Sequence, residues 1–515
     1  MIGRVLMIQG TSSSAGKSLL VAALCRLFAR RGVRVTPFKA QNMSNNAAVC
    51  ADGAEIGRSQ ALQAAAARIA PTADMNPILL KPEAEACSQV VVLGRPWRTL
   101  GARDYFRTKE MLWPIVTETL DRLRRDYELV VIEGAGSPAE MNLRDVEIVN
   151  MAVARYCQAP VLLVGDIERG GVFAQLLGTL WLLSDEDRSL VRGLLVNKFR
   201  GDVSLFDEGR TFLEQRGGVP VLGVIPWLWG LELPEEDAEV LSRPSVPSQQ
   251  GDLDIAVIRL PRISNFDDFA PLAAEAGVSV RYVDLMSRLG RPHAVILPGT
   301  KSTMSDLEWL RQTGLAGRIG ELASQGTHVV GICGGYQMLG QSLRDPQQIE
   351  SSVAEMPGLG LLPTVTVFAP SKETHQVRGV VHADGHCPGA RGQAVDGYEI
   401  HMGHTSGGEP WLELARGNDG HSSVQDGAVS NNGRVWGCYL HGLFVNNGFR
   451  RAWLNALTRH YELEVVPRTQ CDSAGQQGMS DRLDASLNRL ADGVEAALDL
   501  QRLEEIVSNT EGIVR

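Results

Sequence analysis

Two stretches of this sequence have the residue types and spacing of chemical sites. Residues 10–18 read GTSSSAGKS, between an apolar strand pattern and an apolar helix pattern. Strand, glycine loop and helix is the context in which backbone N–H groups converge on phosphate oxygens. Gly10, Thr11, Ser14, Ala15 and Gly16 form the loop, Lys17 offers a positive charge to the outer phosphates, and Ser18 offers a hydroxyl to magnesium. Five residues, not four, separate the two glycines, so the loop is longer than the common one. A Gly-Ser turn of no special purpose is the alternative, and the Lys-Ser pair with both flanking elements weighs against it. The second stretch is Gly331-Ile332-Cys333-Gly334-Gly335, after the apolar run THVV and before the helical YQMLG. This is the cysteine form of a nucleophile elbow. Small neighbours permit the strained turn, and a helix start favours the thiolate.

Each site needs further groups. Magnesium takes several oxygen ligands. Glu133 ends the apolar run ELVVIEG, and Asp52 lies in ADGAEIGRSQ, so both are candidates to join Ser18. A strand-end acid is also often a structural hydrogen-bond acceptor. Lys39, in VTPFKAQNMSNN, is placed to neutralise a carboxylate or a transferring phosphoryl group. Asn197 and Lys198, in LLVNKFRGD, are candidates to frame a nucleotide base. A thiol with a reference pKa near ~8.5 needs a base or cation beside it. His441, at the end of RVWGCYLHGLF, is that candidate. His382, His386, His401 and His404 cluster in sequence with Cys387, but their spacing fits no common metal site. Gly299, in the turn after AVILPG, and Gly334 are candidates to donate oxyanion N–H groups.

These residues must be held by a scaffold, and its pattern is regular. Apolar runs VLMIQG, VRVTPF, ELVVIEG, PVLLVGDI, RGLLVNKF and VPVLGVIP alternate with helix-like stretches such as SLLVAALCRLFARRG and EIGRSQALQAAAARIA. Apolar strands alternating with helices predict a parallel sheet covered on both faces. Residues 234–252 are proline-rich, acidic and aperiodic, which predicts a linker between a first domain, 1–233, and a second, 253–448. In the second, LDIAVIRLP, VSVRYVD, AVILPG and THVVGICGG begin a new strand–helix series, and strand signals crowd together after about residue 355. Residues 449–515 read as a helical extension.

At 515 residues the chain is long enough for two or three cores. Lys and Arg number 50 against 60 Asp and Glu, and a net charge of −10 argues against nucleic acid as a partner. No apolar window approaches the ~18 residues of a membrane span. The amino terminus lacks the pattern of a signal peptide. Eight scattered cysteines without a C-x-x-C pair suit reduced thiols in a cytoplasm.

The longer phosphate loop resembles that of dethiobiotin synthetase and its relatives, which phosphorylate a carboxylate. GICGGYQMLG and YLHGLF resemble class I glutamine amidotransferases. In commoner members the histidine is followed two positions later by glutamate, where this chain has Leu443. That departure resembles the cobyric acid synthase and cobyrinic acid a,c-diamide synthase family, described by a Cys–His pair, and leaves open what orients His441. PFKAQNMSNN, VIEGAGSPAEMNL, DIERGGVFAQLLGT, PRISNFDDF, LPGTKSTMSDLEWL and GYEIHMGHT read like the cobyric acid synthase branch over nearly the whole chain. The resemblance implies a P-loop NTPase-type domain followed by a flavodoxin-like amidotransferase domain. It implies ATP, magnesium, L-glutamine and a corrinoid, adenosylcobyrinic acid a,c-diamide, amidated at the b, d, e and g carboxylates, with no tightly bound cofactor. The rival readings are an a,c-diamide synthase or another carboxylate amidase, a nucleotide-switched binding protein, and a cysteine hydrolase beside an unrelated ATPase.

Overall fold

The computed structural model describes residues 2–84, 86–234, 253–383, 387, 389–417, 423–463 and 479–509. The predicted linker lies, apart from Pro234, outside these residues, as do His386 and Cys471. The chain divides into two compact units, one of residues 1–43, 56–234 and 480–515, the other of residues 44–55 and 235–479.

The first unit is built on a six-stranded sheet in the order Val221–Pro226, Val191–Phe199, Val161–Asp166, Arg4–Gly10, Leu129–Glu133, Val35–Phe38. Every neighbouring pair is parallel. Successive strand residues alternate between faces, so Val5 and Met7 pack into one core while Leu6 and Ile8 pack into another. Burial on both faces explains the continuous apolar runs. The stretch EIGRSQALQAAAARIA does not form one helix: Glu55–Gly57 is a strand and the helix is Arg58–Ala66. Gly57 holds an extended backbone, and a Cβ there would come within 2.3 Å of the Asn42 side chain. A smaller sheet joins Gln41–Met43 to the meander Ile78–Ala84, Cys87–Val92, Arg95–Gly101.

The helical stretch after residue 449 is shared between the units. Helix Asn447–His460 belongs to the second, whereas Met479–Ala497 and Leu500–Ser508 pack in the first. Leu487, Leu490, Val494, Leu503 and Val507 are buried there beside residues of the helix Lys17–Arg30. Ion pairs Arg26–Asp484 at 2.7 Å and Arg31–Glu495 at 2.8 Å bridge the same helices.

The second unit has its own sheet, in the order Val278–Val283, Leu253–Ile258, Ala294–Leu297, His328–Ile332, Val435–Cys438, Ala428–Val429. All its neighbours are parallel except the last pair. A second sheet is dominated by the long antiparallel pair Val365–Val381 and Ala394–Ser406.

Candidate active sites of the two units

In the first unit the chemistry gathers at the carboxyl ends of neighbouring strands, where open α/β sheets place their ligands. Arg4–Gly10 runs into the loop, and the helix Lys17–Arg30 starts behind Gly16, whose φ of 95° suits glycine. A Cβ on Gly16 would fall 2.2 Å from Asn197 Nδ2. Asn197 donates to the Ala15 carbonyl at 2.9 Å, and Lys198 donates to the Ser14 carbonyl at 2.7 Å and pairs with Asp166 at 2.8 Å. Both side chains therefore brace the loop. Asn197 and Lys198 also border an apolar hollow with Gly16, Pro226, Trp227 and Leu490. Thr11 donates its hydroxyl to Gln175 at 3.0 Å. The Lys17 amine reaches back to the carbonyls of Ser12, at 2.8 Å, and Gly136, at 3.1 Å, so its charge sits inside the loop.

Glu133 is the hub. Its carboxylate accepts from Ser18 Oγ at 2.8 Å, from Lys39 Nζ at 2.8 Å and from Gln63 Nε2 at 2.5 Å. Burial works to keep this carboxyl protonated, but the Lys39 charge and the donors Lys39, Gln63 and Ser18 outweigh it and hold its pKa below the ordinary value. A hydroxyl beside a buried carboxylate is a hard-oxygen donor set of the kind magnesium takes. Asp52 is exposed in the Ser44–Glu55 segment of the second unit, where its carboxylate accepts the Ala54 N–H at 3.0 Å. Sequence alone does not single out Gln63 or Asp166. Gln63 sits in a weakly patterned alanine-rich helix, and Asp166 carries only the strand-end signal that Glu133 shares.

In the second unit, three adjacent strands deliver the groups. His328–Ile332 ends at Cys333, which holds φ 52° and ψ −111° before the short helix Gly334–Leu339. Such a backbone is strained for a residue with a Cβ and is the mark of a nucleophile elbow. Glycine neighbours make it sterically feasible. A Cβ on Gly335 would lie 1.9 Å from the Leu297 carbonyl oxygen, and one on Gly331 would lie 2.7 Å from that of Gly335. The Cys333 thiol donates to the Ile400 carbonyl at 3.3 Å. Gly299 follows the next strand, Ala294–Leu297, and a Cβ there would come within 3.0 Å of His441 Cε1. A Cβ on Gly334 would stand 3.2 Å from the Thr300 nitrogen, so the Gly299–Thr300 turn lies against the elbow.

His441 follows the strand Val435–Cys438 and is bridged to Tyr398, whose ring stacks on the imidazole at 5.2 Å. Its Nδ1 lies 2.7 Å from Asp268 Oδ2, and Asp268 Oδ1 accepts the Gly442 N–H at 2.9 Å. Burial opposes the imidazolium, but the Asp268 carboxylate and then Cys333 overcome it and raise the His441 pKa to about 10. Cysteine, histidine and aspartate thus form a continuous chain of acid–base groups. Asp268 fills the role left open by Leu443, and it comes from PRISNFDDF, upstream of both partners. Its only sequence signal was a pair of adjacent acids flanked by phenylalanines.

Among the described residues no group of three or more His, Cys, Asp or Glu is arranged to hold a metal ion. His401 is buried, stacks on Tyr439 at 3.7 Å, and is kept neutral by burial, which lowers its pKa to about 3. Cys25, Cys50, Cys87, Cys157, Cys333 and Cys438 are free thiols, and no described helix is long and apolar enough to cross a membrane.

Residues 6–240 match the CobQ/CobB/MinD/ParA nucleotide binding domain, and residues 254–449 match the CobB/CobQ-like glutamine amidotransferase domain. The chain is 53% identical over 506 residues to a cobyric acid synthase of Chloroflexus aurantiacus, covering 98% of this chain and 99% of that one. It is 55% identical to one of Roseiflexus castenholzii, covering 91% and 95%, and 50% identical to one of Herpetosiphon aurantiacus, covering 98% and 99%.

Proposed function

This chain belongs to the cobyric acid synthase family of glutamine-dependent amidating ligases, and we propose that it amidates the b, d, e and g carboxylates of adenosylcobyrinic acid a,c-diamide in cobalamin biosynthesis. The observation that carries this reading is the presence in one chain of a phosphate loop facing Glu133 and a Cys333 elbow beside the His441–Asp268 pair. Neither alone makes an amide from glutamine.

In the second unit the Cys333 thiolate attacks the side-chain amide carbon of glutamine. Asp268 holds His441 with a proton on Nδ1, which leaves Nε2 to exchange protons at the reacting atoms. Backbone N–H groups of Gly299 and Gly334 are assigned to the oxyanion. The tetrahedral adduct expels ammonia, which takes its proton from the imidazolium. Water then cleaves the thioester, releasing glutamate and restoring the thiol.

In the first unit the γ-phosphoryl group of ATP passes to a corrin side-chain carboxylate, giving an acyl phosphate and ADP. Lys17 and Lys39 counter the charge of the transferring group. Magnesium held by Ser18 and Glu133 would add Lewis-acid charge at the outer phosphates. Ammonia attacks the acyl carbon, phosphate leaves, and the amide remains. Activation is needed because a carboxylate is a poor acyl donor in water. The apolar hollow beside Asn197 is assigned to the nucleotide base.

The test separates the two half-reactions. Cys333→Ala is expected to lose glutamine-dependent synthesis and retain synthesis from added ammonia. Failure of ammonia to substitute would contradict the assignment of Cys333 as the ammonia source.

A further inference from the structure

The second unit contains a segment from far away in the sequence. The chain passes from the strand Gln41–Met43 into Ser44–Glu55, which packs within the second unit, and then returns to the first at Ile56. Within the second unit the segment is anchored on the strand Val365–Val381. Lys372 pairs with Glu55 at 2.5 Å, and Gln376 Nε2 donates to the Val49 carbonyl at 2.6 Å. It also grips Asn265, where Asn46 Oδ1 accepts the Asn265 backbone N–H at 2.7 Å and the Ala47 N–H donates to Asn265 Oδ1 at 3.1 Å. Asn265 Nδ2 in turn lies 3.3 Å from His441 Nε2. Asn46, Asn265 and His441 are 2%, 3% and 1% exposed, so bulk water does not compete for these contacts.

A backbone N–H can only donate, so the Ala47 contact fixes which end of the Asn265 amide faces which way. The oxygen turns to Ala47, and the NH2 group turns to His441. We infer that Asn265 is a positioning residue for the glutaminase reaction, and that the Ala47 N–H orients its amide, while Asn46 holds its backbone, so that an N–H, not an oxygen, meets the catalytic nitrogen of His441. The inference rests on the reading of Cys333 and His441 as the glutaminase pair.

The consequence is a protonation bias. A donor at Nε2 favours the lone pair there and opposes the imidazolium. The charged and titratable groups facing this ring are Asp268 on the Nδ1 side, Cys333 from the elbow, and the Tyr398 ring and neutral His401 from the strand Ala394–Ser406. Asp268 and Cys333 both favour the charged ring. Asn265 opposes them from the Nε2 side, favouring release of the Nε2 proton to the departing ammonia. Its orienting atoms are tethered at both ends to the nucleotide-binding unit by the chain itself.

The test uses the full-length chain with isotope-labelled histidine in a Cys333→Ala background, with the His441 resonance identified by its loss in His441→Gln. Asn265 has φ 51°, so Asn265→Gly keeps the left-handed backbone while deleting the amide. It is expected to raise the His441 pKa. Asn265→Asp keeps the Ala47 contact but puts a carboxylate oxygen at Nε2, and is expected to raise it further, by about one unit or more. Ala47→Pro, which removes the N–H that fixes the amide, is expected to shift it in the same direction. With Cys333 intact, Asn265→Gly should lower glutaminase kcat with little change in KM. A His441 pKa that stays in place or falls in the two Asn265 variants would overturn the inference, whatever the loss of rate. An unmoved value in Ala47→Pro would overturn the role of the segment. Loss of the glutaminase reading itself would show separately, as glutaminase activity surviving Cys333→Ala.

Discussion

Asp268→Asn isolates the largest electrostatic contribution at the cysteine site. The amide cannot hold the imidazolium by charge, and it can present the wrong end to Nδ1. Glutaminase kcat is expected to fall about 10²-fold or more. Steady-state glutamine hydrolysis checks this, and near-normal turnover would remove Asp268 from the relay. The same carboxylate has a signature in stability. The folded His441 pKa, about 10, lies above the ordinary histidine value of 6.5. Its stabilising contribution is therefore complete below the unfolded pKa and is lost as pH rises through the folded one. Denaturant titrations across that window should show stability falling with pH, and less steeply in Asp268→Asn. Cysteine and histidine were legible because each stands in a local motif. Asp268 was not, because a triad is a meeting in space and no spacing rule links residues 268 and 441.

Two glycines in the second unit make a matched comparison at the level of elements. Gly335 lies in the first turn of the helix Gly334–Leu339 behind the elbow, where a Cβ would overlap the Leu297 carbonyl at 1.9 Å. Gly320 lies in the helix Leu315–Ser324 with nothing within 4 Å of the added carbon. Gly335→Ala must push the strand Ala294–Leu297 away from the elbow, and is expected to destabilise the unit strongly and abolish glutaminase activity. Gly320→Ala should stabilise by about 0.5–1 kcal/mol through helix propensity and the unfolded chain. Thermal unfolding of the two variants checks the pair, and similar effects would contradict the elbow geometry. The core strands were readable because burial on both faces leaves continuous apolar runs. The meander Ile78–Gly101 and the strand Glu55–Gly57 were not, because their patterns are short and mixed with polar residues.

The division of the whole chain was readable only in outline. The proline-rich stretch marked where one strand–helix series ends and the next begins. Nothing in composition announces that Ser44–Glu55 packs with the second unit, or that residues after 479 return to the first, since both depend on contacts distant in sequence. The return is energetically large. Five side chains there, Leu487, Leu490, Val494, Leu503 and Val507, are at most 4% exposed. At about 1.5–3 kcal/mol each they contribute on the order of 10 kcal/mol, comparable to the net stability of a domain. Deleting residues 480–515 is expected to unfold the nucleotide-binding unit, seen as loss of its calorimetric transition. Retention of that transition would contradict the packing. Lys17→Ala should stop synthesis from either nitrogen source while glutaminase activity survives in part.

The most direct measurement is mass spectrometry of adenosylcobyrinic acid a,c-diamide incubated with the protein, glutamine and Mg-ATP. Successive products are expected, each lighter by the difference between a hydroxyl and an amino group, ending at the fourth amide. An unchanged corrinoid beside active glutaminase would contradict the proposed substrate.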